Sequence, residues 1–250
     1  MLEKFADAKS VVFVHIPKTA GTSFTQYLKN GLLGAADGPI PDRRITKELF
    51  CGHEYLRLSH SRINHAYFVT FLRDPIDRTI SQYRSLRNPS NYEPNWRDQI
   101  SKVQVAALEF CQSATFREFI NSHDKAVLGH IVNPQTRMLS DHRVADEDLM
   151  DRSIPKRHVL SSACKNLVKK INFLGIYEMI DTSLMMFEKE TGVNGTLSHL
   201  NRSETFDVNL TSNDLARLCD LLDMDFQLYD FGLRVFASRI GSLERSICRQ

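Results

Sequence analysis

The amino-acid sequence predicts an α/β fold in which helices flank a central, mainly parallel sheet. Three runs carry that prediction. Val11–Val14 and Tyr67–Leu72 are continuous stretches of β-branched and aromatic residues, the pattern of strands buried on both faces, and Phe173–Glu178 (FLGIYE) reads as another sheet strand. The first two pass directly into a polar turn and then a helical pattern, the alternation that builds parallel sheets. At 250 residues, 42% hydrophobic and 25% charged, the chain can bury one large core, so residues 1–250 are expected to form a single domain.

After the first strand comes Pro17-Lys18-Thr19-Ala20-Gly21-Thr22-Ser23. A strand end meeting a helix start presents free backbone N–H groups and the positive end of the helix dipole, so this segment is expected to hold an anion, with Lys18 adding a point charge. It is not a nucleotide-binding P-loop: Val12 and Pro17 stand where that motif needs glycine, and Gly21 follows the lysine rather than preceding it. Leu49–Cys51 reads as the second strand, with Gly52 exposing His53 at its end. After Leu72 comes Arg73, and then Asp74 and Pro75 supply an N-cap and a first-turn proline for a helix running to about Arg87. On that helix Ile76, Ile80 and Tyr83 are expected to be buried. Asp74, Arg78, Ser81 and Ser85 form the polar stripe, with Arg78 able to pair with Asp74 at i,i+4. Arg73 and Ser81 then face the same side as the first loop.

The rest reads as helical. Helices are expected over Phe116–Asn121, Lys156–Lys170 and Asp181–Thr191, the last closed by Gly192. Thr211 and Asp214 resemble a capping box before a helix carrying Leu215, Leu218 and Leu222, and Asp225–Tyr229 (DFQLY) starts a closing amphipathic helix. Asn88–Gln99, with the single tryptophan Trp96, is the candidate mobile loop.

Spacing excludes several chemistries. Arg57 stands where an H-E-x-x-H zinc helix starting at His53-Glu54 would need its second histidine, and no G-x-S-x-G elbow occurs. The five cysteines, 51, 111, 164, 219 and 248, hold no C-x-x-C pair, which argues against a zinc or redox site and fits reduced thiols. A formal charge of +2 argues against a nucleic-acid binder. Local basic clusters at Arg57-His60-Arg62-His65 and at Lys156-Arg157-His158 with Lys165, Lys169 and Lys170 could meet an acidic acceptor. In the second, Val159, Ala163 and Leu167 mark an apolar face opposite a solvated one. No apolar run is long enough to span a membrane and no signal sequence opens the chain, so the expected location is cytoplasmic, although sequons at Asn194, Asn201 and Asn209 are compatible with secretion.

PKTAGTS after one strand and RDPxxRxxSxY after another together resemble the two signatures of the sulfotransferases, of the family-2 type that includes heparan sulfate 2-O-sulfotransferases. Asn133–Leu139 (NPQTRML), FLGIYE and DFQLY extend the likeness over most of the chain. The resemblance implies a three-layer, P-loop-NTPase-like sulfotransferase fold and 3′-phosphoadenosine 5′-phosphosulfate (PAPS) as donor, with no metal. It assigns Lys18, Thr19, Ala20, Gly21, Thr22 and Ser23 to the 5′-phosphosulfate, and Arg73 and Ser81 to the 3′-phosphate; Arg78 matches the second signature too, a role that stays open beside its pairing with Asp74. Asn201 and Arg202 fall where relatives bring a late loop over the nucleotide. The G-H element of that family makes His53 the base, a task that suits an imidazole of ordinary pKa, with Glu54 as fallback. Lys18 would stabilise charge on the departing oxygen. The acceptor implied is a hydroxyl of a glycan, lipid or small molecule. Many eukaryotic relatives are Golgi enzymes with an N-terminal anchor, so a trimmed chain would belong in the Golgi lumen. Two other readings remain open at this level: a kinase-like phosphotransferase, and a non-catalytic nucleotide-binding scaffold. Sequence leaves His15 to pack beneath the loop, and it leaves His130, Gln135, Arg137 and His142 between lining an acceptor pocket and scaffolding.

Overall fold

The computed structural model describes residues 2–33, 47–53, 55–88, 101–142, 155–196 and 208–247. In chain order these form α1 (Leu2–Asp7), β1 (Ser10–Val14), α2 (Gly21–Leu33), β2 (Glu48–Gly52), α3 (Leu56–Arg62), β3 (Ala66–Leu72), α4 (Pro75–Arg87) and α5 (Lys102–Ser113). There follow α6 (Phe116–Ile120), α7 (Lys125–Gly129), α8 (Pro134–Leu139), α9 (Lys156–Lys169), β4 (Phe173–Ile176), a 3₁₀ turn (Tyr177–Met179), α10 (Ile180–Thr191), α11 (Ser212–Leu221) and α12 (Asp223–Ile247). Glu54, Asn201, Arg202, residues 89–99 of the candidate loop and Cys248 lie outside the described residues.

The strands pair in parallel in the order β2-β1-β3-β4. β1 and β4 are buried at every position, as continuous apolar runs require; β2, at the edge of the described sheet, is half exposed. Because side chains alternate, the register puts Phe13, Val69, Phe71 and Phe173 on one face. There they meet Phe24 of α2 and Phe187 of α10 in edge-on and tilted ring contacts of 4.7 to 6.4 Å. On the other face His60 of α3 stacks on Phe68, and α12 brings Gly232 against Leu72 and Leu174. Helices therefore cover both faces of the sheet in three layers. A second apolar cluster, built from Tyr83, Leu86, Cys111, Phe119, Ile131 and Leu218 among others, ties α4 to α5, α6, α7 and α11.

The expected helices form, with Asp74 accepting the N–H groups of Ile76 and Asp77 at the head of α4 and Gly192 closing α10 at φ 72°. Several expectations are corrected. Ile76 and Ile80 are only half-buried, whereas Arg78, expected on a polar stripe, is 1% exposed and donates to the His130 carbonyl (2.8 Å) instead of pairing with Asp74. The cause is that the segment around His130, which joins α7 to α8, lies against Arg78, which local periodicity cannot foresee. Likewise Leu215 is 41% exposed, because α11 buries Leu218, Leu221 and Leu222. FLGIYE divides into strand and 3₁₀ turn after Ile176.

Candidate active site

In the strand order 2-1-3-4 the chain leaves β1 toward β2 and then returns to the other side of β1 as β3. The crevice beyond the carboxyl ends of β1 and β3 is the topological switch point, where open parallel sheets bind ligands. The PKTAGTS turn follows β1 and Arg73 follows β3, so the sheet itself brings the two motifs together.

The turn has an unusual backbone. Lys18 and Ala20 both adopt left-handed conformations (φ 70° and 73°), with Thr19 between them fully buried and its hydroxyl bonded to the Ile16 carbonyl at 2.9 Å. Left-handed φ at non-glycine residues is costly and persists where the surroundings enforce it, typically at ligand clamps. Gly21 follows, buried, where α2 begins. A Cβ there would lie 1.4 Å from His15 Nε2, so glycine is required for close approach. Thr22 is exposed and Ser23 half-buried on the first turn of α2.

Arg73 reaches back across the crevice. Its Nη1 donates to the Lys18 carbonyl at 3.2 Å, and its guanidinium lies 4.0 Å above the Tyr177 ring. Its backbone is clamped by the buried Gln135 amide, which accepts from Arg73 N–H (3.0 Å) and donates to its carbonyl (2.9 Å). Glu178 accepts the next N–H, that of Asp74 (2.9 Å), and is held in turn by the Tyr229 hydroxyl (2.8 Å). Gln135 thus scaffolds, and Glu178 and Tyr229 explain why FLGIYE and DFQLY matter here. Ser81 lies two turns along α4, half-buried.

Beneath this crevice positive charge is in excess. Burial, then the charges of Arg73 and Arg78, lower the Lys18 pKa. Burial, opposed by Asp225 and assisted by Arg137 and Arg73, brings Arg78 down to about 10. Arg73 Nε and Arg78 Nε are buried without a hydrogen-bond partner. Cations held against one another in this way are relieved by a bound anion.

His53 follows β2 and is exposed. Its Nδ1 lies 2.9 Å from the His15 carbonyl, an oxygen that can only accept, so Nδ1 carries the proton and in the neutral ring Nε2 keeps its lone pair. His53 lines a cavity of about 210 Å³ together with Pro17, Tyr55, Arg78, His130 and Arg137. His130 and Arg137 therefore do line a pocket; Gln135 and His142 are not among its lining residues.

A mutual cap holds the floor. Asp225 accepts the N–H groups of Gln135 and Thr136 at the head of α8 (3.1 and 2.7 Å). Asn133, left-handed at φ 44°, accepts those of Met224 and Asp225 at the head of α12 (both 2.9 Å). Sequence reasoning missed this pairing; its only local trace is an Asn-Pro step and an acidic residue in the first turn of the last helix. Among the described residues no helix is long and apolar enough to cross a membrane.

Proteins similar to the chain include human heparan-sulfate 6-O-sulfotransferase 3, 21% identical over 92% of this chain and 58% of that protein. Chicken heparan-sulfate 6-O-sulfotransferase 2 is 22% identical over 92% and 67%, and chicken heparan-sulfate 6-O-sulfotransferase 1 is 24% identical over 88% and 64%. The chain thus spans roughly three-fifths of the length of these curated relatives, which are named as heparan-sulfate sulfotransferases, the broad type the motifs resemble. The family model described as "Sulfotransferase family" matches residues 4–232, a span containing every strand among the described residues and both crevice motifs, and on that match the chain belongs to the sulfotransferase family.

Proposed function

We propose that the protein is a PAPS-dependent sulfotransferase that moves a sulfuryl group to a carbohydrate hydroxyl, with His53 as base. The observation that carries this reading is the Arg73–Lys18 contact: two strand ends converge on one anion-seeking crevice, and the histidine of a third strand lines a cavity beside it. The residues fit a donor phosphorylated at both ends. Lys18 with Thr19, Ala20, Gly21, Thr22 and Ser23 would hold the 5′-phosphosulfate, Thr19 acting through the shape of the turn, and Arg73 with Ser81 the 3′-phosphate. Asn201 and Arg202 are proposed as further nucleotide contacts. When bound, PAPS supplies an activated sulfuryl group and leaves as adenosine 3′,5′-bisphosphate.

The chain's own residues do the rest. His53 Nε2 takes the proton of the acceptor hydroxyl, Nδ1 being committed to the His15 carbonyl. Lys18 meets the charge that grows on the departing phosphate oxygen, a preorganised interaction that costs no solvent reorganisation at the moment of transfer. The names of the relatives support a glycan of the heparan-sulfate kind as acceptor, and such an acceptor favours the lumen over the cytoplasm.

Calorimetry tests the donor half. Adenosine 3′,5′-bisphosphate should bind in clear preference to ATP, and Arg73→Ala should weaken it by about tenfold or more, the worth of one charge-assisted hydrogen bond. Preference for ATP, or indifference to the arginine, would overturn the reading.

A further inference from the structure

His53 depends on the residue it leans against. The His15 N–H donates to the Gly52 carbonyl (3.0 Å), and the His15 carbonyl faces His53 Nδ1 (2.9 Å), so this residue carries the β1–β2 ladder past its last pair and fastens the residue beyond. The side chain is held as firmly. Its ring centroid lies 4.1 Å from that of His53 at an interplanar angle of 34°, and on Phe13 it stacks at 5.3 Å and 13°. Its Nε2 fills the space where any residue but glycine at position 21 would carry a Cβ. The ring is therefore wedged between β1, the first residue of α2 and the face of His53.

We propose that His15 is the positioning residue of the base: its carbonyl fixes which nitrogen of His53 is free, and its ring fixes the plane in which that nitrogen is presented. The proposal rests on the sulfuryl-transfer reading. One hydrogen bond leaves the His53 ring free to swing about the bond axis; a flat partner at 4.1 Å removes that freedom. The partner must also stay uncharged. The charged groups facing it are His53 from the end of β2 and Lys18 from the turn, and burial together with these two drives the His15 pKa down to about 3. It therefore remains neutral while His53 takes up a proton, and adds no cation beside either.

Nitrogen-15 NMR of the full chain reads the His53 tautomer directly. The parent should show the Nδ1–H form. In His15→Ala, and in Gly21→Ala, where a methyl drives the His15 ring from its place, the carbonyl of residue 15 remains, so the Nδ1–H form should persist while the His53 ring loses its fixed plane, seen as faster ring motion in carbon-13 relaxation. In His15→Ala kcat should fall about 10- to 100-fold, the usual loss when a residue that orients a reacting group is removed, while affinity for adenosine 3′,5′-bisphosphate stays close to that of the parent. A parent in the Nε2–H form, or a His53 ring as rigid in His15→Ala as in the parent, overturns the proposal, whether or not turnover falls. Full turnover in His53→Ala would instead remove the base assignment itself. Loss in His53→Ala with none in His15→Ala would remove this proposal alone.

Discussion

Lys18 shows how a single side chain carries the chemistry of its neighbours. Its pKa is lowered because burial and two guanidiniums oppose its charge. A bound phosphate cancels that opposition and restores the proton, so at a pH where the free protein has begun to lose it, binding of adenosine 3′,5′-bisphosphate should take up protons. Affinity should fall as pH rises through the lowered pKa, since only protonated lysine attracts the anion. Titrations in buffers of different ionisation enthalpy measure the uptake, and none at any alkaline pH would count against Lys18 as a contact. At the same scale, His53→Ala should lower kcat by about 10²- to 10⁴-fold, the span of general-base contributions, with nucleotide affinity retained. The positions of both residues were legible in the sequence, because a lysine in a strand-to-helix turn and a histidine after a glycine at a strand end are local patterns. The polar-stripe reading of Arg78 failed for the same reason: its helical position is local, but its burial comes with the distant segment at His130.

Among the elements, α8 and α12 show how the two weakest motifs earn their place. Each helix lends a side chain to cap the other, Asn133 to α12 and Asp225 to α8, and Gln135 on α8 clamps the backbone of Arg73. Burial raises the Asp225 pKa against the pull of Thr136, Arg78 and Gln135, so this carboxylate is held by its partners rather than by water. Asn133→Ala and Asp225→Ala should each cost about 2 kcal/mol, the upper range for a lost cap. For a chain of this size that corresponds to roughly 4–8 °C in Tm, measurable by scanning calorimetry. Gln135→Leu should spare most of that stability and weaken nucleotide binding, because it frees Arg73 without uncapping either helix; unchanged affinity would show that Arg73 needs no clamp. The capping box of α11, with Thr211 and Asp214 joined by Arg117, was readable from adjacent residues, whereas Asn133 and Asp225 stand 92 positions apart and no window connects them.

For the whole molecule, the sheet is the instrument that converts separate motifs into a site. Parallel pairing turns the carboxyl ends of β1, β2 and β3 the same way, so Lys18, His53 and Arg73 share one rim. The sheet depends on close approach: a Cβ at Gly175 would lie 2.2 Å from Phe71 Cε1, inside the aromatic layer between β3 and β4. Gly175→Ala should therefore destabilise by about 1–3 kcal/mol through overpacking, seen as a lower denaturation midpoint, although Gly175 touches no proposed ligand. An unshifted midpoint would mean that the Phe71 ring yields more freely than its packing suggests.

What the chain alone determined is the set of strands, the turns that end them and the helices those turns begin. These follow from β-branched runs, an N-cap aspartate and a first-turn proline, and each is a property of neighbours in sequence. The tertiary structure decided which polar groups are buried, which residue steadies which, and that the Arg73 guanidinium rests on Tyr177 and the Lys18 carbonyl. Those outcomes depend on contacts between residues tens of positions apart, where burial and charge are set by what packs alongside rather than by what comes next.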